Sequence, residues 1–328
     1  MITFWVAVLA VSVLIYVLLD GFDLGIGIIF GFMPDANRRA LLLEAIEPLW
    51  DGNETWLIVT GVVLWGAFPI VYATLLSAFY LPLLAMLGGL ILRGVAFEFR
   101  DKDENLRWIW DAGFAIGSLV AAFVQGAAVG RLVEGLPMSD GQYTGGDFGW
   151  ATPFALLCGA GLCVGYALLG AAWLVYKCDG ELKDTAYRLI RFLAAGLMLF
   201  LVVVFVSALN MSLEIMNRWF ARPILFVFPM IGVFAALILV ASVRRRWDVA
   251  PFVTVAIIFA SAFGTLALSF WPFMIPFAIT IEQAAAPHSS LSFMFWGAGL
   301  FVFPLMLIYV AFNYGVFRGK NRSSPDRY

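Results

Sequence analysis

The stretch that decides the fold is residues 3–32, TFWVAVLAVSVLIYVLLDGFDLGIGIIFGF, which contains only two charged side chains. A helix needs about 20 mostly apolar residues to cross a bilayer, and this run exceeds that length. The whole 328-residue chain has the same character, because 63% of it is hydrophobic and only 13% is charged. Soluble domains are about 45–50% apolar and about 25% charged. The composition therefore predicts an integral membrane protein and excludes a soluble or disordered chain.

Further apolar runs follow the first, and their continuous rather than alternating pattern favours helices over barrel strands. We predict nine transmembrane helices, at residues 3–32, 52–75, 76–97, 108–130, 151–176, 191–211, 222–243, 250–273 and 292–317. We do not expect the first run to be a signal peptide, because it has no basic segment and no small-residue cleavage site. All connectors are short, so we expect one polytopic membrane domain over residues 1–328. Aromatic–proline pairs are compatible with duplicated halves, roughly 1–131 and 150–273, before the last span.

The connectors predict the orientation of the chain. Of the 20 Lys and Arg residues, 17 follow the first, third, fifth, seventh and ninth spans, whereas the other side has only Arg131, Arg218 and Arg222. Since basic residues stay in the cytoplasm, we expect the N-terminus outside and the C-terminus in the cytoplasm. Residues 36–47 (ANRRALLLEAIE) predict a short interfacial helix, with a plain polar connector as the alternative. The net charge of −2 gives no basic field that would indicate nucleic acid.

The unusual residues of the first span are Asp20 and Asp23, which lie three positions apart and so share one helix face. A carboxylate near the bilayer centre costs about 2.5–3.5 kcal/mol on insertion scales. Both side chains therefore need a protein interior, a file of water or protonation. Two hypotheses stay open: the pair forms a proton or cation relay, or it caps a helix break or binds an arginine of another span.

A second acidic cluster lies in WDGNETW, residues 50–56, at the predicted cytoplasmic start of the second span. Asp51 and Glu54 are again three apart, and Asp51 before a helix could be an N-cap with Glu54 completing a capping pair. Capping and proton conduction are compatible, because both clusters would meet at one depth if the first two spans pack together. In a third group we predict Arg93 as the partner of a buried acid. We interpret three residues that follow it as a solvated helix end: Glu98, Arg100 and Asp101.

The chain is poor in cofactor ligands. It has one histidine, His288, in a polar connector, and three cysteines without a paired motif, which we interpret as small buried hydrophobes: Cys158, Cys163 and Cys178. Haem and zinc sites usually need His, Cys, Met or several acidic groups together. We therefore expect no haem or metal to be bound by this chain alone.

Six segments closely resemble subunit II of cytochrome bd quinol oxidases. They run in order along nearly the whole chain, at 20–25 (DGFDLG), 50–57 (WDGNETWL), 68–72 (FPIVY), 93–100 (RGVAFEFR), 271–277 (WPFMIPF) and 290–298 (SLSFMFWGA). The compact length and the last segment look most like the cyanide-insensitive branch of that family.

The resemblance implies a nine-span helical subunit, with two four-helix bundles and one peripheral helix, in the bacterial cytoplasmic membrane. It implies a subunit I that carries two haems b and a haem d or its b-type equivalent, and it allows small single-span accessory subunits. The family's enzyme oxidises quinol and reduces dioxygen to water, with protons drawn from the cytoplasm. By resemblance Asp51 matches the acid of the cytoplasmic proton path, and Asp23 or Asp20 matches the first-span acid. Glu54 occupies a position where the family is not uniformly acidic.

Two rival classes of function fit the acids. A stand-alone secondary transporter could use Asp20, Asp23 and Asp51 to bind a coupling ion. A purely structural subunit could use the same residues for packing and capping alone. Sequence alone does not separate a proton relay from a scaffold.

Overall fold

A computed structural model describes residues 1–102, 105–210, 219 and 222–320. The last residue of the predicted sixth span, 211, lies outside the described residues. The same holds for three of the basic residues used to predict the orientation: Arg218, Arg322 and Arg327.

Helices dominate the described chain. In order they are α1 (Ile2–Gly31), α2 (Ala36–Glu44), α3 (Trp50–Ala67), α4 (Pro69–Ala78), α5 (Tyr80–Phe99), α6 (Arg107–Glu134), α7 (Pro153–Lys177), α8 (Gly180–Asn210), α9 (Val227–Arg245), α10 (Ala250–Phe270), α11 (Ile281–Ala284), α12 (His288–Met294) and α13 (Val302–Val316). A 3₁₀ turn at Pro223–Phe226 precedes α9, and a π-helical turn at Phe295–Gly299 follows α12. Two short antiparallel hairpins pair β1 (Met138–Ser139) with β2 (Gln142–Tyr143), and β3 (Phe273–Ile275) with β4 (Ile279–Thr280).

Within the described residues, eight helices are long and apolar enough to cross a membrane, or nine if the bent pair α3 and α4 counts as one span. This confirms the predicted all-α membrane fold. The prediction of one continuous helix over 52–75 was wrong, because α3 ends at Ala67 and α4 departs at 119°. The cause is local: Pro69 lacks an N–H and disfavours helical geometry at Phe68, whose φ is −136° and ψ 59°.

Helix α1 lies in the centre of the molecule, against α3, α6 and α7. Its second half is buried from Asp20 to Phe30. Close approach to α7 depends on glycine, since a Cβ on Gly25 would lie 1.7 Å from the carbonyl oxygen of Tyr166. Such small-residue contacts let membrane helices pack backbone against backbone. The charged half of the first span is therefore in the protein interior.

Helices α1, α5, α7, α9 and α13 all end at one end of the molecule, which we name the basic end because most Lys and Arg residues lie in its connectors. Residues 36–44 form a helix here, three residues shorter than the predicted 36–47, and its position at the membrane interface stays a prediction. The side chain of Asp35 caps it by accepting a hydrogen bond of 2.8 Å from the backbone N–H of Arg38. Trp173 of α7 holds the following turn by donating from its indole N–H to the carbonyl of Ala45 at 3.0 Å.

Candidate functional site

Asp20 forms a buried ion pair with Arg93. The Asp20 Oδ1 atom accepts a hydrogen bond of 2.8 Å from Arg93 Nη2, and the two side chains are 0% and 2% exposed. Helix α1 runs unbroken through Asp20 and Asp23, so the hypothesis that they cap a helix break was wrong. The alternative, an arginine from another span, is correct for Asp20. Arg93 was the predicted partner.

The same guanidinium also reaches Glu54 of α3. Arg93 Nη2 lies 3.4 Å from Glu54 Oε2, and the Glu54 side chain is 25% exposed. One arginine on α5 therefore joins acids from α1 and α3. Because Asp23 lies on the same face of α1 as Asp20, three carboxyl groups gather around one guanidinium. We name Asp20, Asp23, Asn53, Glu54 and Arg93 the acid–arginine network.

Asp23 enters this network through Asn53, which sequence reasoning missed. Asn53 Nδ2 donates to Asp23 Oδ2 at 2.8 Å, and its own Oδ1 accepts a hydrogen bond of 2.9 Å from the Tyr314 hydroxyl. The sequence did contain a signal for Asn53, because this polar residue lies in the WDGNETW segment on the same helical turn as Asp51 and Glu54. Tyr314, on α13, gave no such signal, because its contact depends on how the last helix packs.

Asp51 is not part of the buried network. It is exposed in the first turn of α3, whose N-cap is Leu49, with no capping hydrogen bond from a side chain. The predicted capping role of Asp51 was therefore wrong. Its position is one helical turn before Glu54, so the two acids follow each other from the surface toward Arg93.

A second group of polar side chains lies beyond Asp20, away from the basic end. Gln125 Nε2 donates to the Tyr16 hydroxyl at 2.8 Å, and the Tyr166 hydroxyl donates to Gln125 Oε1 at 2.8 Å. Tyr16 lies four residues before Asp20 and so one turn away on the same face of α1. No local sequence signal marked the two tyrosines, because each is ordinary in an apolar span.

Three buried atoms of the network have no hydrogen-bond partner within the described residues: Asp20 Oδ2, Asp23 Oδ1 and Arg93 Nη1. Nearly all buried polar atoms in proteins are paired, so this concentration in one place is unusual. One oxygen of each aspartate is thus available to a proton or to another donor.

A separate ion-pair cluster ties the connectors of the basic end. Arg100 Nε donates to Asp111 Oδ1 at 2.6 Å, and Asp111 Oδ2 accepts from Arg39 Nη1 at 2.8 Å. Arg100 is only 2% exposed, so the prediction of a solvated Arg100 was wrong. Asp111 at the start of α6 contacts Arg100 at the end of α5, and no local sequence pattern predicts that contact. Glu98 and Asp101 are exposed, as predicted.

The chain after α13 is held at the same end by Lys320. Its Nζ lies 2.9 Å from Asp179 Oδ1 and 2.8 Å from Asp248 Oδ2, and Lys183 Nζ lies 2.7 Å from the other oxygen of Asp248. The hydrogen bond from Lys320 lowers the pKa of Asp179 below its usual value. Hydrogen bonds from Lys183 and then Lys320 lower the pKa of Asp248 in the same way. Lys177 adds hydrogen bonds to the carbonyls of Phe317 and Gly319.

Within the described residues, no group of three or more His, Cys, Asp or Glu side chains could hold a metal ion. His288, the one histidine of the sequence, is exposed at the first residue of α12. The three cysteines lie apart: Cys158 is partly buried on α7, while Cys163 and Cys178 are buried at different levels.

The fold and the site together define a polytopic helical membrane protein with ionisable groups paired in its interior. Such residues usually mark proton, ion or substrate pathways.

Comparison with known proteins gives the family. The family described as cytochrome bd terminal oxidase subunit II matches residues 1–317, and the chain belongs to it. Subunit 2 of the cytochrome bd-I ubiquinol oxidase of Escherichia coli K12 is 31% identical, over 94% of this chain and 92% of its own length. Subunit 2 of the cytochrome bd ubiquinol oxidase of Bacillus subtilis 168 is 28% identical, over 96% and 95%.

A solved structure supports the same fold. A chain of the bd oxidase from Geobacillus thermodenitrificans superposes with a TM-score of 0.79 at 17% identity, covering 96% of both chains. The family and the apolar helices place the chain as a multi-pass protein of the bacterial cytoplasmic membrane. The comparisons confirm the resemblance to subunit II of cytochrome bd oxidases, while the cyanide-insensitive branch stays a prediction. The family also implies a subunit I as partner and a haem-containing complex.

Proposed function

We propose that this chain is the second subunit of a quinol oxidase, which supports a haem-bearing subunit I. The complex oxidises quinol and transfers four electrons to dioxygen, forming water, with protons taken up from the cytoplasm. That uptake contributes to the proton motive force. Family membership supports the assembly and the reaction. The observation that supports proton handling by this chain is the buried acid–arginine network.

The basic end faces the cytoplasm in this proposal, because Lys and Arg are retained on that side of the membrane. Asp51 then lies at the cytoplasmic surface and Glu54 one turn deeper. A proton from bulk water would pass from the Asp51 carboxylate to Glu54. Arg93, within 3.4 Å of Glu54 and 2.8 Å of Asp20, orients both carboxyl groups.

Three carboxyl groups and one guanidinium can exist in several protonation states of different net charge, as a relay requires. Asp23 forms a second branch, since Asn53 fixes one of its oxygens and leaves the other without a partner in the described residues. Haem, when bound by the partner subunit, supplies electron transfer and oxygen reduction. The residues of this chain hold and move protons at the carboxyl oxygens.

The test uses the intact complex with Asp51→Asn or Glu54→Gln. Each substitution turns the carboxylate into an amide, which does not accept a proton at neutral pH. Quinol-driven oxygen consumption and proton uptake are measured together with the haem spectrum. We expect both rates to fall about tenfold or more while the spectrum is unchanged. Glu98→Gln is the matched control, because Glu98 is an exposed acid at the same end outside the network. Normal uptake in both variants would contradict the proton-path role.

A structural role is the second candidate, favoured by the Asp20–Arg93 pair, which joins α1 to α5 in the interior. It predicts a different result: substitutions in the network would lower the yield of assembled complex. Complexes that do assemble would then turn over at the normal rate per haem.

A further inference from the structure

A cavity of about 560 Å³ opens at the basic end, where α2, the first turns of α8 and the connector after α9 meet. Four arginines and two acids dominate its lining: Arg38, Arg188, Arg191, Arg246, Glu181 and Asp184. It lies outside the acid–arginine network and shares no residue with the proposed proton path.

The two acids of the cavity are already paired. Arg38 Nη2 lies 2.7 Å from Glu181 Oε2, and Arg246 Nη2 lies 2.5 Å from Asp184 Oδ1. The guanidinium of Arg246 also stacks on the ring of Tyr187 at 5.2 Å. Two of the four arginines, Arg38 and Arg246, thus bind carboxylates of α8, and these ion pairs compensate the charge of both acids.

Arg188 and Arg191 remain without a carboxylate. Arg188 Nη2 donates to the Thr185 hydroxyl at 3.0 Å, and neither arginine forms an ion pair within the described part of the chain. They are three positions apart on one helix, so their side chains are neighbours and their like charges repel. An anion between them would relieve that repulsion.

Below these arginines the same face of α8 is apolar and exposed. Ala195, Leu199 and Val202 continue the helical spacing of Arg188 and Arg191, and the last two are 65% and 59% exposed. The surface thus has a cationic cavity at the membrane boundary, followed by an apolar strip that runs along a predicted span. We name this strip, residues 195, 199 and 202, the α8 strip.

We propose that the cavity binds the phosphate group of an anionic phospholipid in the leaflet next to the basic end, with an acyl chain along the α8 strip. Arginine suits this role because its planar guanidinium donates two parallel hydrogen bonds to phosphate oxygens. Basic pockets between membrane helices recognise anionic headgroups in this way. A soluble phosphate could use the arginines but would gain nothing from the α8 strip, which is why the lipid is favoured. This proposal does not rest on the proposed function.

The test measures lipid binding by the intact oxidase complex. The complex is stripped of lipid in detergent and titrated with phosphatidylglycerol or phosphatidylcholine, and bound lipid is counted by native mass spectrometry. We expect phosphatidylglycerol to be retained preferentially. The double variant Arg188→Gln/Arg191→Gln should bind it about thirtyfold more weakly, since each basic residue near the site contributes a factor of about five.

Two controls separate the alternatives. Arg244→Gln removes an exposed arginine of α9 outside the cavity and should leave binding unchanged. Arg188→Lys/Arg191→Lys keeps both charges, so it should fold even if the Gln variant does not, and it should bind more weakly than wild type because bidentate bonding is lost. An equal loss in Arg244→Gln would overturn the proposal in favour of general surface charge. Displacement of the lipid by an equal concentration of inorganic phosphate would overturn it in favour of a soluble anion.

Discussion

The buried ion pair between Asp20 and Arg93 gives the sharpest prediction, tested by a double-mutant cycle. Arg93→Met leaves the Asp20 carboxylate, 0% exposed, without its guanidinium. Removing one partner of a buried pair costs about 3–5 kcal/mol. Asp20→Asn should cost less, about 2–3 kcal/mol, because Glu54 still lies 3.4 Å from Arg93 and solvent reaches that carboxylate. The double variant leaves no unpaired charge at Asp20 or Arg93, so we expect a loss of only about 2–3 kcal/mol and a coupling of about 4 kcal/mol.

The assay is reversible unfolding of the intact complex in mixed micelles, followed by tryptophan fluorescence. The matched control is the exposed pair of Asp101 and Arg107, whose Oδ1 and Nη2 atoms are 2.7 Å apart while the side chains are 73% and 39% exposed. Exposed pairs contribute little, so its coupling should stay below about 0.5 kcal/mol. A coupling as small as that for the buried pair would refute the assignment of Arg93 as the counterion of Asp20.

Three further predictions concern packing, the basic end and pH. Gly25→Ala should abolish assembly, because its Cβ would lie 1.7 Å from a carbonyl oxygen of α7. The control Gly61→Ala, whose Cβ would meet no atom within 4 Å, should be neutral or slightly stabilising. The yield of folded complex measures both effects. Asp111→Asn should lower the free energy of unfolding by about 2–4 kcal/mol, because it deprives two arginines of their carboxylate; Glu98→Gln should change it little. The two aspartates that bind Lys320 have lowered pKa values, so their contact is fully present above about pH 4 and is lost as the pH falls below it. Hydrogen exchange at residues 317–320, corrected for the intrinsic rate, should therefore rise at pH 3, and Lys320→Gln should remove that pH response.

The spans and the importance of Asp20 and Asp23 could be predicted from the sequence because both depend on local physics. A long apolar run has few alternatives to a membrane helix, and a carboxylate inside it needs compensation. Arg93 followed from the same reasoning, since a charge in the third apolar run has the same need. The family resemblance rested on six segments that occur in the same order along the chain, and it was confirmed over residues 1–317.

The partners of these residues could not be predicted so fully, because they depend on which helices become neighbours. The sequence predicted that Arg100 is solvated at a helix end, yet Arg100 is buried against Asp111 of the next helix. Tyr314 reaches Asn53 from the far end of the chain. The bend at Pro69 was also missed, although proline gave a local signal, since the apolar run continues unbroken across it.

Side-chain exposure falls from Asp51 into the acid–arginine network, which gives the proposed proton path a direction. Asp51 is exposed, Glu54 is 25% exposed one turn deeper, and Arg93 and Asp20 are almost completely buried. Close packing of α1 and α7 through Gly25 leaves the acid-bearing half of α1 in the interior. Glu54 is therefore the network carboxyl that both meets solvent and lies near Arg93, so protons that reach Asp20 from the basic end should pass through it. In the proposed path, Glu54 therefore joins the exposed Asp51 to the buried Arg93 and Asp20.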